Sequence, residues 1–269
     1  MGRVGILYQG ALLKVLLDIP YYIELQRRMV DIFRYVSCHE KNFDAYSVIL
    51  ESLLIDTCSF FDSLCQSLIR DKSRAGYAFT QESQVGDFTK KVSGSENFNF
   101  GDYRKLLESD FVLSARKVNL NLYEDALYSN PMGYLPDEIS GHLIAPFKEW
   151  AAGVHVVQSP WWNAFTELKH DRIRSFREAK LRNALHSLAA VFIILTVRNE
   201  TEFKAGSVSL ELYDLFFPKY WTFKGSVVVG DVATRLNSLR RVQQHERPYL
   251  LPHAIFWRSC AKRALSAES

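Results

Sequence analysis

The sequence predicts a mostly α-helical fold with a small β-hairpin element near the C-terminus, and three observations support this prediction. Between residues 44 and 70, apolar side chains recur at helical spacing. They form a stripe of Leu50, Leu54, Cys58, Phe61, Cys65 and Leu68. Residues 188–197 are apolar almost all round, which is typical of a helix buried by several neighbours. Patterns that favour strands are confined to short segments at 113–123 and beyond residue 200.

The composition is that of a globular protein with ample material for a core. The 269 residues are 48% hydrophobic and 23% charged, which fits one large domain or one domain with an appendage. We divide the chain into a helical domain, residues 1–200, and an appendage, residues 201–269. The net charge of +3 comes from 33 basic and 30 acidic residues. This balance is too even to indicate nucleic-acid binding on its own.

The first two helices are predicted at residues 5–17, ending before Pro20, and at residues 21–36. Polar residues interrupt the apolar N-terminus, and no small-residue cleavage site follows it. We therefore expect neither a signal peptide nor a membrane segment. No cysteine belongs to a C-x-x-C pair, so buried free thiols and a cytoplasmic location are expected. The four cysteines are Cys38, Cys58, Cys65 and Cys260.

Beyond the helix at 44–70, residues 71–102 are polar and rich in glycine and serine, which predicts a long connection that could be mobile. A short helix at 103–107 and a strand within 113–123 follow. Residues 130–136 are typical of a turn.

A helix pair between residues 159 and 198 is the most informative segment. Ser159 and Pro160 are typical of an N-cap and a first helical residue. This helix has an apolar face of Trp161, Phe165 and Leu168 and is predicted to end near His170. Ser175 and Glu178 fit a capping box at the start of the second helix. The apolar face of the second helix contains Ala179, Leu185, Leu188, Phe192 and Leu195. Its apolar run is about half of what a membrane span needs.

The C-terminal appendage changes character. Residues 207–213 and 223–229 predict two strands on either side of an aromatic segment. Residues 235–263 contain seven basic residues and one acidic residue, which predicts either a solvated surface or an edge that contacts phosphate.

Motifs that would indicate a cofactor or a metal do not occur. The sequence has no G-x-G-x-x-G, no Walker loop, no G-x-S-x-G and no H-E-x-x-H. No histidine pairs with a cysteine or a carboxylate at metal-ligand spacing. We therefore expect no cofactor and no metal site.

The candidate site lies at the end of the first helix of the pair. His170 shares a polar helical face with Asn163 and Glu167, which could orient it. A histidine can take and return a proton at physiological pH, so His170 is the candidate acid or base. The neighbouring cations could bind a phosphate or a developing anion; they are Lys169, Arg172 and Arg174. The alternative is structural, since cations in a last helical turn also stabilise the helix dipole.

The segment SPWWNAFTELKHDRIRSFREAKLRNALHSLAAVF resembles the C-terminal helix pair of HEPN-type proteins. In that superfamily a helix ends in a histidine, a short polar connection follows, and an alanine-rich helix packs back. The part WWNAFTELKHDR is similar to bacterial proteins that have a YNxxKHxR-like stretch. The resemblance covers residues 44–70 and 146–198 and implies a HEPN-like helical bundle.

The resemblance also implies a function. Many HEPN proteins are metal-independent RNases of bacterial defence or toxin–antitoxin systems, and they act as dimers. An arginine several residues before the histidine stabilises the phosphate in that family. Here the corresponding positions are Asn163, Ala164 and Phe165, so the charge would come from Arg172 or Arg174. Otherwise the chain is a member without catalytic activity.

Three hypotheses follow. The first is a HEPN-like RNase in which His170 is the acid or base, Asn163 and Glu167 orient it, and the cations bind the RNA phosphate. The second is a catalytically inactive HEPN-like scaffold or binding subunit of a larger defence or regulatory complex. The third is a ligand pocket between the helices and the hairpin region. The third rests on an aromatic cluster of Phe216, Phe217, Tyr220, Trp221 and Phe223.

Overall fold

The computed structural model describes residues 3–36, 38, 40–120, 143–151, 158–200, 216–219, 221–223 and 226–228. Several predicted features lie outside these residues. They are Cys260, the turn at 130–136, the strand at 207–213 and the basic segment 235–263.

The described part of the chain is mostly helical, as predicted. Its helices are α1 (Arg3–Ile32), α2 (Val48–Arg74), α3 (Phe88–Ser93), α4 (Phe100–Tyr103), α5 (Ser109–Phe111), α6 (Pro160–His170) and α7 (Leu181–Arg198). A π-helical turn, Arg104–Glu108, joins α4 to α5. The chain divides into two compact units. One contains Met1–Lys117 and Ile144–Val208, and the other contains Val118–Leu143 and Ser209–Ser269. Our division at residue 200 stays a prediction.

The centre of the helical unit is the pair α2 and α7, and α1 and α6 each pack against both. The predicted stripe of α2 is buried along its whole length, from Leu50 to Leu68. All ten residues from Leu188 to Val197 in α7 are buried as well. The periodicity of the sequence therefore identified both core helices and the faces that they bury.

α2 and α7 run in the same direction. This follows from the contacts between them, which join the C-terminal end of one helix to that of the other and the N-terminal end of one to the N-terminal end of the other. At the C-terminal ends, Arg198 contacts Asp71 of α2 at 3.3 Å and Asp18 of α1 at 2.6 Å. The start of α7 lies beside the residues that precede α2. This arrangement places the connection between α6 and α7 against the N-terminal end of α2.

The prediction that Pro20 separates two helices is wrong, because α1 continues through it. Proline removes one intrahelical hydrogen bond, but its backbone angle is compatible with a helix. On the C-terminal side, Tyr22, Leu25 and Met29 are fully buried. Their burial favours a continuous helix over a break.

The segment 71–102 is held against the helical unit at several points. α2 extends to Arg74, and α3 and α4 lie within the segment or begin in it. Arg70 donates hydrogen bonds to the carbonyl oxygens of Lys91 and Glu96. Lys91 pairs with Asp102 at 2.7 Å, and both side chains are nearly buried. Four apolar residues of the segment are also buried, namely Phe79, Val85, Phe98 and Phe100. The connection is therefore packed rather than loose.

The predicted strand within 113–123 is partly confirmed by β1 (Lys117–Leu120). β1 lies between β2 (Leu143–Ile144) and β3 (Phe216–Lys219) in a three-stranded sheet. β3 occupies the aromatic segment that we expected to connect two strands. β4 (Trp221–Phe223) pairs antiparallel with β5 (Ser226–Val228), and Trp221 faces Val228. A small hairpin exists as predicted, but it lies wholly within residues 221–228.

Candidate functional site

The candidate site is the basic connection, which we define as residues 169–182 between the end of α6 and the start of α7. α6 ends at His170, and the amide of the C-cap residue Asp171 makes the last helical hydrogen bond, to the carbonyl oxygen of Glu167 at 2.8 Å. The side chain of Asp171 then accepts from the amide of Arg174 at 3.1 Å. A short 3-10 helix, Phe176–Glu178, precedes α7. Local hydrogen bonds therefore define the first half of the connection.

The predicted start of α6 is confirmed, with Ser159 at the N-cap and Pro160 as the first helical residue, whereas the predicted start of α7 is wrong. Ser159 occupies the N-cap position of α6, but its hydroxyl makes no capping bond. Ser175 also makes none, and α7 begins at Leu181 rather than at Ser175. The amides of Leu181 and Arg182 instead donate to carbonyl oxygens of Ala45 and Phe43, at 2.9 and 3.1 Å. The backbone before α2 thus supplies the acceptors that a capping side chain would supply.

The same contact anchors the rest of the connection. Tyr46 and Lys180 form an isolated antiparallel bridge. The ring of Tyr46 meets the ring of Phe176 edge to face, with centroids 5.6 Å apart. The guanidinium of Arg182 lies over the ring of Phe43 at 5.9 Å. Residues 43–46 therefore form a platform on which the second half of the connection is held.

An ion pair between Glu51 and Arg172 ties the first half of the connection to α2. Arg172 donates through Nε to Glu51 Oε1 and through Nη2 to Glu51 Oε2, the second bond being 3.0 Å long. The Glu51 side chain is 2% exposed, whereas that of Arg172 is 64% exposed. The hydrogen bond and the charge of Glu51 raise the pKa of Arg172. The Glu51 carboxylate is buried, which is rare for a charged group unless it is paired.

His170 and its predicted orienting residues lie on the surface. His170 and Glu167 are exposed and Asn163 is half-buried. Across the described ranges, no hydrogen bond joins either residue to His170. The shared helical face is therefore present, but an orienting contact is not formed in this structure. The catalytic roles of these three residues stay predictions.

The remaining cations of the site point to solvent. Lys169 is exposed, and its ammonium lies 5.9 Å above the ring of Phe165. The Arg174 side chain is 90% exposed and is 3.5 Å from Asp171. Arg177 is exposed as well. The connection has two acidic residues, Asp171 and Glu178, and six basic ones: Lys169, Arg172, Arg174, Arg177, Lys180 and Arg182. It is therefore a positive surface on a chain of nearly balanced charge.

Exposed apolar side chains accompany these cations. Ile173 is 90% exposed, although it lies between two arginines in the turn. Val48 and Ile49 in the first turn of α2 are exposed, and Tyr46 before it is partly so. Val48 lies one helical turn before Glu51, and Ile173 directly follows Arg172. The apolar residues thus flank both members of the ion pair.

The buried cysteines do not form a second site. Cys38, Cys58 and Cys65 are buried free thiols, as predicted. Burial raises the pKa of Cys38 to about 12 and raises the pKa values of Cys58 and Cys65 well above the usual thiol range. Thiolates, the nucleophilic form, are therefore rare at these positions near neutral pH.

Two further features bear on the expectations about metals and membranes. Within the described ranges, no group of three or more metal-ligating side chains is placed to hold an ion. α7 is long and apolar enough to cross a membrane by length and composition alone, but 83% of it is buried inside the protein. Such burial is typical of a core helix.

The side chains of the aromatic cluster at 216–223 lie outside the described residues.

The sequence pointed to the basic connection but missed what holds it. Glu51 carries no signal of its own, since an acidic residue in the first turn of a helix also fits a role at the helix dipole. The partners of Glu51 and of the α7 amides lie more than 100 residues away along the chain.

The comparisons with known proteins add no relative to this description: no family model, no curated protein and no solved structure matches the chain.

Proposed function

We propose that this chain is a HEPN-like protein of a bacterial defence or toxin-type system, and that it binds RNA in the cytoplasm through the basic connection. The observation that carries the proposal is the group of exposed cations around His170. Lys169, Arg174 and Arg177 extend into solvent from one short segment. Clustered, exposed cations neutralise nucleic-acid phosphates and release their counter-ions. The resemblance of the helix pair to HEPN proteins supports RNA as the ligand.

We further propose that the protein cleaves RNA without a metal ion, with His170 as acid or base. The 2′-hydroxyl oxygen of the RNA would bond to the adjacent phosphorus while a base removes its proton. The bond from phosphorus to the 5′-oxygen would break, and an acid would protonate that oxygen. His170 is exposed at the end of α6, beside the cations that would bind the phosphate. A homodimer, which the resemblance implies, would bring two such histidines together to serve as base and acid.

RNA binding is tested by its dependence on salt. We expect Arg174→Gln and Arg177→Gln each to weaken binding of a single-stranded RNA. Each should also make the negative slope of log affinity against log salt shallower by about 0.7. Both side chains are exposed, so the fold should not change. Fluorescence anisotropy over a salt series measures the slope. Arg34→Gln is the matched control, because Arg34 is an exposed arginine that follows α1 and pairs with Asp31. Equal slopes for all four proteins would contradict the proposed interface.

A second candidate function is a binding subunit without catalysis. The exposed apolar side chains beside the ion pair favour it, since Ile173, Val48 and Ile49 offer more apolar surface than phosphate binding needs. The partner would then be a protein of a defence or regulatory complex. Size-exclusion chromatography of the protein from its native cells, before and after Ile173→Ser, distinguishes the two. A stable complex that the substitution disrupts supports this candidate, and unchanged elution contradicts it.

A further inference from the structure

The buried carboxylate of Glu51 is the least expected feature of the basic connection. It comes from another helix, 121 residues away from Arg172 along the chain. Its two oxygen atoms both accept from the same guanidinium. The carboxylate is removed from water, while most of the arginine side chain is not.

The cost of burying an unpaired charge explains why this pair is fixed. A carboxylate taken out of water loses much of its hydration energy, and only a cation or several donors can restore it. Arg172 is the cation that meets Glu51, and its planar fork matches a carboxylate at two points. An RNA phosphate offers Arg172 the same geometry, but accepting it would leave Glu51 buried without its counter-ion.

Arg174 is under no such constraint. Its partner Asp171 is about half exposed, and the two groups are 3.5 Å apart. Water can replace either partner of such a pair at little cost. Arg174 is therefore free to exchange Asp171 for a phosphate, and Arg172 is not free to exchange Glu51.

We infer that Glu51 withholds Arg172 from RNA, so that this arginine positions the connection while Lys169, Arg174 and Arg177 contact phosphate. Glu51 is thus an internal counter-ion that limits the affinity of the surface for RNA. The inference rests on the proposed RNA binding and deepens it. It also replaces our expectation that Arg172 itself is a phosphate ligand.

The test is the removal of the Glu51 charge. Glu51→Gln keeps the shape of the side chain and releases the Arg172 guanidinium as an additional cation. We expect the slope of log affinity against log salt to steepen by about 0.7, so that each tenfold decrease in salt tightens binding about fivefold more in the variant than in wild type. The probe is a single-stranded 2′-O-methyl RNA oligonucleotide, which cannot be cleaved through its 2′-oxygen. Circular dichroism checks the fold of each variant.

A matched control removes a different acid from the same helix. Asp56 of α2 pairs with Arg28 of α1 at 2.7 Å and not with a residue of the basic connection. Asp56→Asn changes the net charge by the same amount as Glu51→Gln and should leave the slope unchanged. If both variants bind RNA more tightly to the same degree, the gain reflects net charge alone and the inference fails.

The double variant Glu51→Leu/Arg172→Met gives a second measurement that does not need the single variant to fold. It replaces the pair by apolar side chains of similar size and leaves the net charge unchanged. We expect the wild-type slope, because the pair supplies no phosphate contact. A lower slope would show that Arg172 contacts phosphate and would overturn the inference. If neither wild type nor Glu51→Gln binds the RNA, the proposed function fails together with the inference. Wild-type binding without a gain in Glu51→Gln overturns the inference alone.

Discussion

His170→Ala is expected to lower RNA cleavage at least about 100-fold and to leave the unfolding temperature unchanged. The first expectation follows from the size of general acid–base contributions. The second follows from the position of the side chain, which is exposed at the end of α6. Removing it opens no cavity and leaves no buried group without a partner. The measurement is the rate of cleavage of total RNA and of a tRNA pool without divalent metal, with circular dichroism on both proteins.

Thr166→Ala is the control for His170→Ala. Thr166 lies on the same helix and its hydroxyl donates to the carbonyl oxygen of Trp162 at 2.9 Å, so the substitution perturbs α6 without touching the connection. Cleavage should be retained in this variant. Retained cleavage in folded His170→Ala would contradict the role of His170. An inactive wild type would exclude His170-dependent cleavage of these RNAs under these conditions and would favour the binding-subunit candidate.

Phe61→Ala is expected to destabilise the helical unit by about 3–5 kcal/mol, the usual cost of removing a buried phenyl ring. Phe61 is fully buried in α2. The centroid of its ring lies 5.1–6.3 Å from the centroids of five other aromatic rings, those of Phe100, Tyr103, Phe147, Trp161 and Trp162. These rings come from three separate segments of the chain. Truncation of Phe61 removes the contacts with these rings and leaves a cavity that the closely packed neighbours cannot fill.

Urea unfolding followed by tryptophan fluorescence measures this effect. Ile49→Ala on the same helix is the matched control, because Ile49 is exposed and its truncation should change stability by no more than about 0.5 kcal/mol. The loss of stability in Phe61→Leu should lie between the losses in Phe61→Ala and Ile49→Ala. A loss at Phe61 no larger than the loss at Ile49 would contradict the aromatic cluster as the centre of the core.

Local patterns predicted the helices best where one face is continuously apolar. α2 follows from side-chain spacing and the end of α7 from its continuous apolar run, because burial of apolar surface is the largest driving force for folding. The same reasoning located the end of α6 at His170. It failed at Pro20, where burial of Tyr22, Leu25 and Met29 outweighs the loss of one hydrogen bond. It also failed at Ser175, because the capping partners of α7 come from Phe43 and Ala45.

For the candidate site, the sequence by itself determined which residue types surround His170 and that they follow a helix end. Only the tertiary structure decided how those residues are divided. Arg172 is bound by the buried carboxylate of Glu51, while Lys169, Arg174 and Arg177 remain on the surface. The physical reason is that neighbouring arginines look alike in sequence, whereas the cost of exposing or burying a charge depends on what another helix places beside it.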